Sequence, residues 1–372
     1  MIKRIIICLA ALLLSAIFAL PNRVPVHADG GDSEAVVDID SGRFLYEKNA
    51  YEKRHIASLT KIMTAIVVIE NSDTEKVITV PEKCCGVEGS SIYLRAGENL
   101  SIKELLYGLM LRSGNDAAET LATATFGSIE KFAEKMNEKA REIGANDTNF
   151  INPHGLYDGE NYSTAHDMAL ITAYGMKNDR FKEIVGTKFV AVSGGETGEK
   201  RYFRNKNKLL FSYDKCTGVK TGYTKKAGRC LASSAEHNDL RLACVVLGCA
   251  PMYEVSRENF EKAFSVYKLE KLCDKESFET IYDFGGKNPA KGKIKSDFSY
   301  PLKAGERERI RTEIIMDKNV RLPVKAGEKI GAMEIYLKNQ LIFSQNIYTI
   351  IDVEKRYDIS DPLDYWNICE DD

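Results

Sequence analysis

Ser58-Leu59-Thr60-Lys61-Ile62-Met63-Thr64-Ala65-Ile66-Val67-Val68-Ile69-Glu70 is the stretch on which the reading of this chain turns. Ile62, Ala65, Ile66 and Ile69 stand at offsets 0, 3, 4 and 7, which gathers apolar side chains on one face of a helix from about Ser58 to Glu70. On that helix Ser58 and Lys61 share a face, so the lysine amine reaches the serine hydroxyl. A nucleophile and its base are thereby supplied together. The spacing alone is common, because S-x-x-K also begins at Ser128, Ser212 and Ser265.

Order and company single out Ser58. It is followed by Ser113-Gly114-Asn115 and then by Lys220-Thr221-Gly222, the one K-T-G in the chain. Each piece has a plain alternative, a helix-start turn for Ser113 to Asp116 and a strand end for Lys220 to Gly222. Three pieces in this sequence are far more specific than any one of them.

Around these motifs the chain alternates strands and helices. Ala35 to Asp40, the turn Ser41-Gly42-Arg43 and Phe44 to Tyr46 read as a hairpin. Ser101-Ile102-Lys103-Glu104 is a capping box, and Thr164-Ala165-His166-Asp167 opens a helix over Met168 to Met176. Strands are predicted at Lys188 to Val192, Arg229 to Ala235 and Arg241 to Leu247, the last two joined at Asn238-Asp239. Pro251 starts a helix that carries Phe260, Ala263, Phe264 and Tyr267 on one face. The expected fold class is α+β: an antiparallel sheet flanked by helices, with a helical insertion, over residues 29 to 272. Short alternating runs such as Glu313 to Met316 and Ile335 to Leu337 then predict a small all-β domain over 275 to 351. Its two K-A-G-E segments, at 303 and 325, read as convergent turn chemistry.

The ends of the chain carry their own signals. Met1-Ile2-Lys3-Arg4, the apolar run Ile5 to Leu20 and Val26-His27-Ala28 form a secretory signal pattern over residues 1 to 28. The run is short for a permanent membrane helix, although an uncleaved N-terminal anchor is the alternative. An exported protein of the cell envelope, or a secreted one, is expected. Cleavage removes Lys3, Arg4 and Arg23 and no acid, taking the net charge from -2 to -5. Residues 352 to 372 hold eight acids and two bases and read as a solvated tail. With no overall basic excess, nucleic acid is not the expected partner. Of nine cysteines, Cys8 lies in the leader, Cys84 and Cys85 are adjacent, and no C-x-x-C occurs. The thiols outside the leader are read as free, with Cys230 and Cys244 acting as small hydrophobes in apolar runs. His154 and His166 sit in a turn and a cap, where structural roles are expected, and no metal or cofactor is implied.

The chain resembles the low-molecular-mass penicillin-binding proteins, the serine D-alanyl-D-alanine carboxypeptidases of the S11 peptidase family. The resemblance rests on Ser58-Leu59-Thr60-Lys61-Ile62-Met63-Thr64, Ser113-Gly114-Asn115-Asp116-Ala117, Asn152-Pro153-His154-Gly155-Leu156 and Lys220-Thr221-Gly222-Tyr223-Thr224 with Ala227-Gly228. It covers about residues 33 to 270, and the β domain resembles the family's second domain. It implies a penicillin-binding-protein/β-lactamase-like transpeptidase domain whose substrate is a peptidoglycan stem peptide ending in D-Ala-D-Ala, with β-lactams as covalent inhibitors. By the same resemblance Ser58 attacks the penultimate D-Ala carbonyl, Lys61 is its base, Ser113 relays a proton to the leaving D-Ala, and Asn115 orients Lys61 and the substrate. Lys220 and Thr221 receive the terminal carboxylate, Gly222 lets the substrate backbone come close, and the N–H groups of Ser58 and Tyr223 form the oxyanion hole. Arg257 is a second candidate carboxylate anchor, with a solvated surface arginine as the alternative. The family commonly ends in a basic amphipathic helix on the membrane, whereas this tail is acidic and is repelled by anionic lipid, which argues against C-terminal anchoring.

Rival functions share parts of this set. A class A β-lactamase adds a deacylating carboxylate, typically in E-x-x-L-N, and no such segment occurs. A D,D-endopeptidase of peptidoglycan cross-links differs only in what its cleft admits. A non-catalytic wall-binding protein on the same fold would carry a broken motif, and none is broken.

Overall fold

The computed structural model describes residues 32–156, 159–193 and 200–356. The expected leader, and the acidic tail beyond residue 356, lie outside them. Among the described residues no helix is long and apolar enough to cross a membrane.

The chain opens with the hairpin β1 (Ser33–Asp38) and β2 (Phe44–Lys48). Its turn is held by the Asp38 carboxylate, which accepts from the Ser41 N–H at 2.8 Å and the Ser41 hydroxyl at 2.5 Å. A 3₁₀ turn at Ala57–Leu59 leads into α1 (Thr60–Asn71). Next come the strand pair β3 (Val77–Thr79) and β4 (Asn99–Ser101), then the helices α2 (Ile102–Tyr107), α3 (Asn115–Phe126), α4 (Ile129–Ile143), α5 (Ala165–Gly175) and α6 (Asp179–Gly186). The predicted capping box forms at Ser101 and Glu104, and the Thr164 hydroxyl accepts the Asp167 N–H to start α5. The hairpin β5 (Phe189–Val192) and β6 (Arg201–Arg204), the short α7 (Leu209–Ser212), and β7 (Cys216–Thr224), β8 (Gly228–His237) and β9 (Leu240–Leu247) follow. Asn238 and Asp239 both have positive φ, 50° and 62°, as a two-residue hairpin turn requires. The main sheet runs in the order β2-β1-β9-β8-β7. It is followed by α8 (Met252–Val266), which opens at Met252 just after Pro251.

By contact density the chain divides into two compact units. One holds residues up to Ala35, Tyr46–Ser234 and Ala243–Ser256; the other holds Val36–Leu45, Ala235–Leu242 and the chain from Arg257 on. In the first unit α1 is the central element. Its apolar stripe predicts one buried face, but nine consecutive residues, Thr60 to Val68, are buried. Helices α3 to α6 and the turn before Ser113 all pack on it, so the helix is enclosed on every side. That enclosure desolvates Lys61.

The second unit contains β10 (Tyr267–Cys273), β11 (Thr280–Tyr282), β12 (Ala290–Lys293), β13 (Phe298–Lys303), β14 (Ile310–Met316), β15 (Lys329–Leu337) and β16 (Gln340–Thr349). They form a β10-β13 pair and a sheet ordered β11-β12-β16-β15-β14 around Ile294, Ile330, Met333, Ile335 and Ile347. Tyr267 corrects the sequence reading: it is not on the closing helix but begins β10, where it pairs with Lys303. Both K-A-G-E segments are turns with one geometry, Glu306 N–H donating to the Lys303 carbonyl and Glu328 N–H to that of Lys325, with Gly305 and Gly327 at φ 76° and 90°.

Within this unit the Arg43 guanidinium donates to both Glu306 carboxylate oxygens at 2.8 and 2.9 Å and stands over the rings of Tyr267 and Tyr300. Glu306 is 4% exposed. Arg43→Ala strands that buried carboxylate and is expected to cost about 3 kcal/mol, read as a lower urea midpoint of the full-length protein.

Candidate active site

Ser58 lies in the 3₁₀ turn at the head of α1, and the residue before it, Ala57, is held at φ 48°. A non-glycine residue in the left-handed region persists only where its surroundings hold it. The element that does so is the loop 152–156. A Cβ on Gly155 (φ 83°) would fall 2.0 Å from the Ala57 carbonyl oxygen, so only glycine permits this contact. The Asn152 side chain accepts the Gly155 N–H at 2.7 Å and shapes the loop. Gly155→Ala is expected to destabilise the protein by about 2 kcal/mol or more and to lower acylation by penicillin further than stability alone explains, measured by thermal melting beside labelling rate.

The Lys61 amine is 3.2 Å from the Ser58 hydroxyl oxygen, 2.7 Å from Asn115 Oδ1 and 2.6 Å from the His154 carbonyl oxygen. Lys61 is fully buried. Burial first, then the charges of Lys220 and Lys206, hold it well below the ordinary lysine range, with Asp116 opposing. The lowered value favours the neutral amine at neutral pH. As an ammonium it donates to all three oxygens; as a neutral amine it keeps its two protons on Asn115 Oδ1 and the His154 carbonyl, which only accept, and turns its lone pair to the Ser58 O–H.

Asn115 is the first residue of α3, and its amide is held from both ends. Its Nδ2 donates to the Glu88 carbonyl at 2.5 Å, and its own N–H donates to the Ser90 carbonyl at 2.7 Å. Asp116 beside it is fully buried and accepts from the Ser91 hydroxyl and the N–H groups of Ile92, Leu94 and Ala117. The loop 88–94 is thus tied to the start of α3. Ser113 is 95% buried, at φ 68°, where a π-helical turn over Gly108–Arg112 ends.

Strand β7 brings in the third motif. A Cβ on Gly222 would lie 3.0 Å from the Ile56 carbonyl oxygen and 3.2 Å from the Ser58 nitrogen, so K-T-G runs directly beside Ser58. Lys220 is 1% exposed, and burial, then the Lys206 charge, push its amine down to about 7. It donates to the Thr221 carbonyl at 2.7 Å. The Gly108–Arg112 turn also packs on β7. Thr221 is half-buried, and the Tyr223 side chain is exposed. Arg257 is exposed on α8 and belongs to the second compact unit.

The three other S-x-x-K serines are engaged elsewhere. Ser128 caps α4 by accepting the Lys131 N–H, Ser212 donates to the Lys208 carbonyl, and Ser265 donates to that of Lys262. His154 is structural in its side chain: burial and the Lys61 charge push it down to about 3, and its Nδ1 accepts the Leu156 N–H. His166 stacks on Tyr51 and bonds to Glu47. The seven described cysteines are free thiols, with Cys230 and Cys244 fully buried. No group of three or more metal-ligating side chains occurs among the described residues.

Sequence reasoning missed Lys206, whose amine donates to the Ser90 hydroxyl at 3.2 Å and whose charge bears on both buried lysines. No motif marks it. The His154 carbonyl was equally hidden, because a main-chain group has no sequence signature. Asp116 had one, its place directly after Asn115.

The fold is that of the penicillin-binding proteins. Residues 24–250 match the family of D-alanyl-D-alanine carboxypeptidases and residues 267–355 the C-terminal domain of penicillin-binding protein 5. The chain belongs to the D-alanyl-D-alanine carboxypeptidase family. It is 31% identical to the D-alanyl-D-alanine carboxypeptidase DacF of Bacillus subtilis, covering 90% of this chain and 88% of that protein. Similar solved structures include penicillin binding protein 5 from Haemophilus influenzae, with a TM-score of 0.72, 29% identity and coverage of 87% and 97% of the two chains. The carboxypeptidase DacD from Francisella tularensis gives 0.65 and 27%, covering 91% of this chain and 96% of that one.

Proposed function

We propose that this protein is an exported serine carboxypeptidase that removes the terminal D-Ala from peptidoglycan stem pentapeptides through an acyl-enzyme on Ser58. The observation that carries the reading is the Lys61 amine, buried, 3.2 Å from the Ser58 hydroxyl and held by Asn115 Oδ1 and the His154 carbonyl oxygen. Ser58 Oγ attacks the penultimate D-Ala carbonyl while Lys61 Nζ takes its proton. The N–H groups of Ser58 and Tyr223 stabilise the oxyanion, worth about 3 kcal/mol per donor in hydrolases. Ser113 passes a proton to the leaving D-Ala nitrogen, and water then releases the shortened peptide. Asn115 fixes Lys61, and Lys220 with Thr221 receives the substrate carboxylate, whose charge favours the protonated Lys220. Arg257 is the second candidate carboxylate anchor, with a solvated surface arginine as the alternative.

The same chemistry makes β-lactams covalent inhibitors. Release of D-Ala from a synthetic pentapeptide, against cleavage of a cross-linked dimer, tests the reading and separates it from endopeptidase action. A wild type that fluorescent penicillin fails to label would instead favour a wall-binding protein.

The acylation rate should depend on pH with a definite sign. Protonated Lys61 cannot accept the serine proton, so acylation by penicillin falls as the pH drops through the depressed lysine value and rises on the alkaline side of it. Stopped-flow acylation across pH 4 to 9, on an order-of-magnitude sampling of rates, checks this.

A further inference from the structure

A cavity of about 590 Å³ lies in the first unit between the segment 91–98 and strand β6. Arg95, Arg112, Lys200, Arg201 and Arg204 line it against a single acid, Glu98. Glu98 is committed: both its oxygens bond the Arg201 guanidinium. Four cations are therefore left without a carboxylate partner among the described residues, in a chain whose net charge is -2. Arg204 is fixed in place by the rings of Phe189 and Phe211, with its guanidinium 5.7 and 4.9 Å from their centroids.

The cavity shares structural elements with the surroundings of Ser58 and Lys61. Its wall at Ser91 and Ile92 is the loop that Asp116 ties to α3, one residue past the Ser90 carbonyl that accepts the Asn115 N–H. Arg112 precedes Ser113, and with Arg204 it also lines an adjoining cavity of about 460 Å³ that contains Lys206. Lys206 in turn bonds Ser90. Cationic side chains thus line both cavities, and Lys206 bears in charge on the buried lysines beside Ser58. Arginine forks bind carboxylates in a bidentate manner, so a cavity lined by Arg95, Arg112 and Arg204 favours an anionic segment of an extended ligand.

We propose that this cavity is a recognition subsite for the free α-carboxylate of the γ-linked D-glutamyl residue, upstream of the bond that Ser58 cleaves. It rests on the proposed function of Ser58. The subsite makes the enzyme favour stem peptides whose glutamyl carboxylate is free over those in which it is amidated.

The test uses the full chain carrying Ser58→Ala, so that binding is read without turnover. Two probes are compared by calorimetry: the pentapeptide L-Ala-γ-D-Glu-L-Lys-D-Ala-D-Ala and the same peptide amidated at the glutamyl α-carboxylate. The acidic peptide is expected to bind about tenfold tighter. The preference should vanish when Arg95→Glu and Lys200→Glu are added, two exposed positions whose reversal leaves the core untouched. Equal affinity for the two peptides, or a preference that survives charge reversal, overturns the proposal. So does charge-sensitive binding of poly(glycerol phosphate) without binding of the acidic peptide, which would assign the cavity to a wall polymer. Failure of the wild type to release D-Ala from either peptide would instead overturn the reading of Ser58 and is scored separately.

Discussion

Lys61→Ala slows acylation by fluorescent penicillin by about 10³-fold or more while the protein stays folded, the scale expected when a positioned general base is lost. The size follows from how completely the site is built around this amine. Three polar atoms from three separate segments, Ser58 Oγ, Asn115 Oδ1 and the His154 carbonyl, converge on one buried nitrogen. Among the described residues no other side chain hydrogen-bonds the Ser58 hydroxyl. Deletion leaves two carbonyl oxygens without a donor, costing about 1–3 kcal/mol each, but relieves the burial of an ionisable group. Near-UV circular dichroism should therefore be unchanged while labelling collapses. A variant that acylates at the wild-type rate would remove Lys61 from the mechanism.

Ser58→Ala has the largest expected effect, a loss of about 10⁶-fold in D-Ala release, as for nucleophile deletions in other serine hydrolases. Covalent labelling should disappear altogether, since the bond to the acyl group has no oxygen to form on. Binding should survive, because Lys220 and Thr221 are carried by β7 and not by α1. A peptide ending in D-Ala-D-Ala is expected to bind the variant with an affinity near the wild-type value, measured by equilibrium calorimetry. Loss of binding along with labelling would mean that Ser58 holds the substrate as well as attacking it.

The sequence carried the fold where periodicity and capping act locally. The hairpin turn at Asn238-Asp239, the capping box at Ser101 and the opening of α5 at Thr164 were all legible, because side chains within three residues decide them. The enclosure of α1 was not. Ile62, Ala65, Ile66 and Ile69 define one face, while the burial of Thr60, Lys61 and Thr64 comes from helices distant in sequence. The end of α8 escaped for a similar reason: Tyr267 fits the helical stripe, yet its backbone is claimed by pairing with Lys303. For the site, the motifs named Ser58, Lys61, Asn115 and Lys220, whose contacts or charges meet in the structure. They could not show that a main-chain carbonyl at His154 fixes the amine, or that Gly155 must press against Ala57 to hold the serine turn.

The charge on Lys61 in the resting protein decides between this account and its rivals. Nitrogen-15 labelling of lysine side chains, with Lys61→Ala to assign the signal, reads it directly by NMR. At neutral pH the Lys61 Nζ resonance should lie in the amine range and move to the ammonium range only on acidification. A Lys61 resonance in the ammonium range at neutral pH, in a protein that penicillin still acylates, would contradict the mechanism.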